Sequence, residues 1–130
     1  MAEVLLKVKN LSTLFRTEGG VVKAVDNISF EVRAGETFAL VGESGCGKSV
    51  TALSIMRLIP TPPGEITSGT VEFDGIDLLK LRNREMRAIR GSKIGMIFQE
   101  PMSSLNPVLT IQSHLADPLK IHMKLSSGAA

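Results

Sequence analysis

The chain has 130 residues, 43% of them hydrophobic and 22% charged, which is enough for one small domain with a core and too apolar for wholesale disorder. Fifteen basic residues against thirteen acidic ones leave a net charge of +2, too slight an excess to point to a nucleic-acid partner. The longest apolar runs, such as Phe38 to Val41, fall far short of the roughly 20 residues that a membrane-spanning helix needs.

From the N-terminus, Met-Ala-Glu-Val-Leu-Leu-Lys lacks the basic region, long apolar stretch and cleavage site of a secretion signal. The single cysteine, Cys46, fits a reducing compartment. Together these place the chain in the cytosol. Val4, Leu6 and Val8 alternate with Leu5, Lys7 and Lys9, and Ile28, Phe30 and Val32 alternate with Ser29, Glu31 and Arg33. Both runs predict half-buried strands, joined through a turn at Glu18-Gly19-Gly20 into an antiparallel sheet. Thr37-Phe38-Ala39-Leu40-Val41 does not alternate and predicts a strand buried on both faces of a parallel or mixed sheet.

From Ser49, the helical spacing of Ala52, Leu53, Ile55, Met56 and Ile59 predicts a helix of about three turns, stopped by Pro60, Pro62, Pro63 and Gly64. Thr70 to Phe73 predicts a strand ending in an Asp74-Gly75 turn, and Asn83 is positioned to cap a short helix carrying Met86 and Ile89. Ser92 to Phe98 predicts a further strand. Glu100 to Pro107 reads as loop, Ile111 to His122 as helix, and the Ser-Gly-Ala tail from Ser126 as frayed.

The chemistry is concentrated in Gly42-Glu43-Ser44-Gly45-Cys46-Gly47-Lys48-Ser49, a complete match to glycine, four free positions, glycine, lysine and serine. Phosphate oxygens need several donors converging at close range. Backbone N–H groups converge only where side chains do not block them, which accounts for three glycines. Lys48 supplies a point charge for the outer phosphates and Ser49 a hydroxyl for Mg²⁺, while the helix that starts there aims its N–H groups and dipole at the anion. A glycine-rich turn that binds nothing is the bland alternative. The predicted buried strand before the motif and the helix after it favour nucleotide binding, with ATP and Mg²⁺ as the ligands.

Four stretches carry a resemblance over nearly the whole chain: Ala24-Val25-Asp26-Asn27-Ile28-Ser29-Phe30, the phosphate loop, Gly95-Met96-Ile97-Phe98-Gln99-Glu100-Pro101, and Ser104-Leu105-Asn106-Pro107. In them the sequence resembles ABC transporter ATPases, and among these the subunits of oligopeptide, dipeptide and nickel importers. The resemblance implies an α/β fold: an incomplete P-loop NTPase core with an N-terminal antiparallel β-subdomain and the start of a helical subdomain. On that reading residues 1–100 are β-subdomain plus core and 101–130 open the helical subdomain. It also implies that Phe15 stacks on adenine, with a core role beside the first sheet as the competitor. Gln99 corresponds to the glutamine that reaches Mg²⁺ and the attacking water while sensing the membrane-spanning permease subunits. The chain would then be peripheral at the cytoplasmic face of the membrane.

A complete ATPase of this family continues to a Leu-Ser-Gly-Gly-Gln signature, an apolar strand ending in Asp-Glu, and a switch histidine. Thirty-one residues follow Gln99, and Leu125-Ser126-Ser127-Gly128 echoes the signature too early and without its second glycine and glutamine. The resemblance therefore implies one half of a nucleotide site, no family dimer from this chain alone, and ATP binding without appreciable hydrolysis. Two alternatives stay open: a non-catalytic nucleotide-binding or regulatory module, and a degenerate catalytic strand at Ile94 to Glu100 with Glu100 orienting water. The basic run Lys80, Arg82, Arg84, Arg87, Arg90 and Lys93 has no interleaved aromatic residue and reads as a solvated helix face. His114 and His122 lack partners at ligand spacing and read as surface residues, and the six scattered Met residues as core filler.

Overall fold

A computed structural model describes residues 2–130. Two compact units follow one another, the first running through Leu81 and the second spanning Arg82–Ala130. The first holds a four-stranded antiparallel sheet in the order β2-β1-β3-β4, formed by β1 (Val4–Thr17), β2 (Gly20–Arg33), β3 (Gly64–Phe73) and β4 (Ile76–Asp77). Between β2 and β3 the chain makes helix α1 (Lys48–Ile55). The second unit holds α2 (Asn83–Ile89) and α3 (Ile111–Met123), with a short 3-10 turn at Pro101–Ser104 between them.

The long hairpin forms where the alternation and the glycine turn place it, with Thr17 opposite Gly20 and the Thr17 hydroxyl donating to the Gly20 carbonyl at 2.9 Å. Central strand β1 buries Val8, Leu11 and Thr13. Val8 and Leu11 are three apart, a spacing that would put them on opposite faces of a regular strand. The register shifts between them against both neighbours, and Asn10 takes a positive φ of 50° at the extra residue. This bulge returns Leu11 to the face of Val8. The Asn10 amide secures it by donating to Asn27 Oδ1 at 2.8 Å. Val25, Met56, Ile59, Val71 and Leu78 are the other buried hydrophobic residues of this unit.

Residues 37–41 and 92–98 are not strands. The first segment carries no ladder, and the second has only the Arg90–Ile94 bridge that closes its tight turn. Phe38 is 41% exposed, Val41 85% and Ile97 92%. Apolar composition supplies propensity, but a strand exists only where a neighbouring backbone takes up its N–H and C=O groups. None of the described residues provides that neighbour. Phe38 is instead tethered by its ring, stacked on Phe30 of β2 with centroids 5.0 Å apart.

Helix α1 is shorter than its apolar periodicity suggests. Arg57 adopts φ 52°, its N–H reaches Ser54 O at 3.0 Å, and the Leu58 N–H reaches Leu53 O at 2.8 Å. This is a Schellman stop with arginine in the left-handed position. The Arg57 guanidinium holds the turn by donating to Leu78 O at 3.2 Å and Leu81 O at 2.6 Å. Tertiary bonds thus end the helix before the prolines can.

The face of α1 that is fully buried is also not the apolar one. Thr51 and Ser54 are its buried residues, while Ala52, Leu53 and Ile55 are half-buried. Both hydroxyls satisfy themselves on the helix backbone, Thr51 on Gly47 O at 2.8 Å and Ser54 on Val50 O at 2.7 Å. Elsewhere Asn83 is the first residue of α2 rather than its cap. The residue before it, Arg82, has its N–H and guanidinium taken by the Glu85 carboxylate at 2.8 and 3.0 Å. The strand expected from Thr70 begins six residues earlier, at Gly64, because β1 offers a pairing edge all the way to Phe15.

Thr13 and Ser54 meet at 2.8 Å, both essentially without exposed surface. With the Ser54 proton committed to Val50 O, the Thr13 hydroxyl is the donor between them. Ser54→Ala strands that buried donor and should cost about 1–3 kcal/mol in urea unfolding, whereas Thr13→Val keeps the Ser54 proton satisfied and should cost clearly less. A larger loss for Thr13→Val than for Ser54→Ala would assign the bond the opposite direction.

Opposite Lys7 in the β1–β2 register, Glu31 has its carboxyl held below the usual carboxylate range. The Lys7 hydrogen bond is the main cause, followed by the Lys7 charge, with Arg33 and Lys9 adding to it. A depressed folded-state pKa gives stability that is present above the unfolded value and lost as pH falls through the folded one. Glu31→Gln should therefore narrow the stability difference between neutral pH and about pH 3. An unchanged difference would show that this surface pair contributes nothing.

Candidate functional site

Residues 42–47 form a loop, exposed through Cys46, between the extended segment after β2 and α1, whose first turn begins with Lys48 and Ser49. Gly45 and Gly47 take φ values of +80° and +94°, which only glycine adopts without strain. Gly47 has a second reason to lack a side chain, since a Cβ there would overlap the Ala24 carbonyl oxygen of β2. At Gly42 a Cβ would stand 2.5 Å from Cys46 Sγ, so the loop's entry is narrow as well. The Cys46 N–H closes the turn on Glu43 O at 3.3 Å.

Lys48 bends back over this loop. Its ammonium donates to Gly42 O and Glu43 O, both at 2.6 Å, and lies 3.5 Å from Cys46 Sγ. A cation is thereby centred on a ring of main-chain groups. Gly47 caps α1 without a side chain, and no acidic residue occupies the first turn. The positive end of the helix dipole is left uncompensated beside that cation, an arrangement suited to a polyanion. Ser49 is the second residue of α1 and is exposed, so its hydroxyl fits the role of a ligand for a metal carried in with phosphates.

The loop residues Gly42, Glu43, Ser44, Gly45, Cys46, Gly47, Lys48 and Ser49 are brought together by their own contiguity. Phe15 lies on β1, half-buried, paired with Val22 and Gly64. Its ring edge packs 3.0 Å from where a Gly64 Cβ would stand. Gln99 belongs to the second unit and is exposed in a segment without regular structure. His114 does not stand free at the surface. It is half-buried, and its Nε2 accepts a hydrogen bond from the Asn106 N–H at 3.1 Å. Among the described residues no cluster of three or more His, Cys, Asp or Glu side chains is arranged for a metal, and no helix is long and apolar enough to cross a membrane.

Sequence reasoning passed over the residues that seat the loop. Ala24 O packs on Gly47, the Gly47 carbonyl accepts both the N–H and the hydroxyl of Thr51 at 2.8 Å, and Ser54 docks on Thr13. The signal was present as Gly47, Thr51 and Ser54 at helical spacing, a small and hydroxylated stripe hidden among stronger apolar periodicity.

Residues 25–128 match the ABC transporter family. The chain is 52% identical over 128 residues to the dipeptide transport ATP-binding protein DppD of Bacillus subtilis, covering 98% of this chain and 38% of that protein. It is 49% identical over 126 residues to the oligopeptide transport ATP-binding protein OppD of the same organism, covering 97% of this chain and 35% of that one. It thus spans well under half the length of these relatives. Among solved structures, the dimeric ATP-binding cassette MJ0796 in a post-hydrolysis state, bound to ADP and Pi, superposes with a TM-score of 0.81 at 28% identity, over 95% of this chain and 51% of that one.

Gly47→Ala adds a clash and backbone strain at once. It should abolish phosphate binding and lower stability by more than the roughly 1 kcal/mol of a simple left-handed glycine replacement. Urea unfolding with a phosphate-competition assay checks this. Cys46 is exposed within the loop, so saturating Mg-ATP should slow its alkylation by a maleimide. An unchanged rate would remove Cys46 from the site.

Proposed function

The chain belongs to the ABC transporter family, and from that premise we propose that it is the ATP-binding portion of an energy-coupling subunit serving an importer of peptides. The observation that carries the reading is the closed phosphate loop: a lysine ammonium held by two loop carbonyls at the uncapped start of a helix. The names of the half-identical relatives support peptide as the cargo class.

On binding, the Lys48 ammonium exchanges its carbonyl partners for phosphate oxygens, and the N–H groups of residues 42–49 converge on the same phosphates. Ser49 would hold Mg²⁺, which would neutralise phosphate charge when bound, and Gln99 is proposed as its second ligand. Phe15 is proposed to face the base. The partners are membrane-spanning permease subunits, which places the protein at the cytoplasmic face of the membrane. Residues 1–100 and 101–130 are proposed as the core-bearing and helical portions of the domain.

Phosphoryl transfer needs a group that orients water and an acidic residue behind the metal, in addition to the phosphate cradle. These 130 residues supply the cradle. They should bind Mg-ATP and release phosphate only at background, since losing a water-orienting group and its opposing charge costs several powers of ten at about 1.4 kcal/mol each. Titration with a fluorescent ATP analogue should show binding that Lys48→Ala largely removes at matched circular dichroism, and equal affinity in the two proteins would discard the loop assignment. Phosphate release well above the Lys48→Ala control would instead place catalytic chemistry within the chain, with Glu100 the first residue to test.

A further inference from the structure

We infer that the buried Thr13–Ser54 hydroxyl pair is a positioning device for the phosphate loop, holding α1 at one rotation and one height on the sheet so that the loop keeps its binding geometry. The inference rests on the nucleotide-binding reading of residues 42–49. Helix α1 carries three contacts on one stripe: Gly47 under the Ala24 carbonyl of β2, Thr51 returning its hydroxyl to Gly47 O at 2.8 Å, and Ser54 bonded to Thr13 of β1 at 2.8 Å. Gly47 and Ser54 are seven residues apart, two helical turns along the same face. The helix is thus pinned to adjacent strands at both ends of the stripe, since Thr13 pairs with Val25, the neighbour of Ala24.

The chemistry chosen for the second pin is unusual. Its two side chains are 1% and 0% exposed, at the centre of a contact where valine and alanine would fill the same space without a polar group to satisfy. Apolar contacts are non-directional and tolerate sliding, whereas a hydrogen bond fixes distance and angle. The chain from Thr13 Oγ1 through Ser54 Oγ to Val50 O ends on the third residue of α1, one turn from the loop. A shift of α1 that broke this chain would move Lys48 and the first N–H groups of the helix away from the phosphates.

The test is the double substitution Thr13→Val with Ser54→Ala, which removes both hydroxyls together and leaves no orphaned partner. Replacing a bonded pair by apolar groups of like shape is near neutral or stabilising, so urea unfolding should show a protein at least as stable as the parent. Its affinity for Mg-ATP and for inorganic tripolyphosphate should nonetheless fall about tenfold, the loss of roughly one charge-assisted contact. Thr13→Ser, which keeps the hydroxyl, should hold parental affinity. Stability retained with affinity lost, and affinity kept by Thr13→Ser, is a combination that a merely structural role does not produce. Parental affinity in the double variant would overturn the inference, as would an affinity loss that only tracks a fall in stability. If the parent chain itself fails to bind tripolyphosphate, the fault lies with the phosphate-loop reading.

Discussion

Gly47 lies directly beneath the carbonyl of Ala24, in a backbone conformation that only glycine tolerates, and the first unit is arranged around that approach. The carbonyl belongs to β2, so the close contact fixes where the loop leaves the sheet. The positive φ turns the chain into α1, and the helix then begins at Lys48 with its dipole pointing back into the loop. The lysine ammonium finds the carbonyls of Gly42 and Glu43 because the turn has already brought them to one side. Remove the glycine and each of these consequences is lost together.

The sheet serves chiefly as the platform for that helix. Its central strand needs a bulge at Asn10 to keep Val8 and Leu11 on the same face, and Thr13 follows on that face to receive Ser54. Far from the loop, Arg57 ties the end of α1 to the main chain at Leu78 and Leu81. The helix is therefore held at its start by a backbone contact, along its length by hydroxyls and at its end by a guanidinium. Few of these bonds involve apolar side chains, and directional bonds suit an element whose placement matters more than the area it buries.

The proposed function follows from the same economy. Phosphate recognition by converging N–H groups and one ammonium can be encoded in eight contiguous residues, and the match to the ABC transporter family over residues 25–128 sets that loop in its wider context. The second unit brings Gln99 and the segment after it, where the sequence resembles the peptide-importer branch most specifically.

By itself the sequence determined what is local: the glycine turn from Gly42 to Gly47 running into a helix at Lys48, for which phosphate binding is proposed; the hairpin, set by alternation and a glycine turn; and α3, whose N-cap Thr110 accepts from the Ser113 N–H. Tertiary structure decided whatever depends on a partner distant in the chain. Residues 37–41 and 92–98 have strand composition and yet form no ladder, because pairing belongs to two backbones and composition to one. The prolines after Pro60 mark where α1 must stop, but Arg57 stops it sooner by bonding carbonyls twenty-odd residues away. The buried face of α1 is Thr51 and Ser54 rather than the apolar stripe, since hydroxyls that return their protons to the helix backbone enter a core at little cost, a fact that no hydrophobic periodicity records.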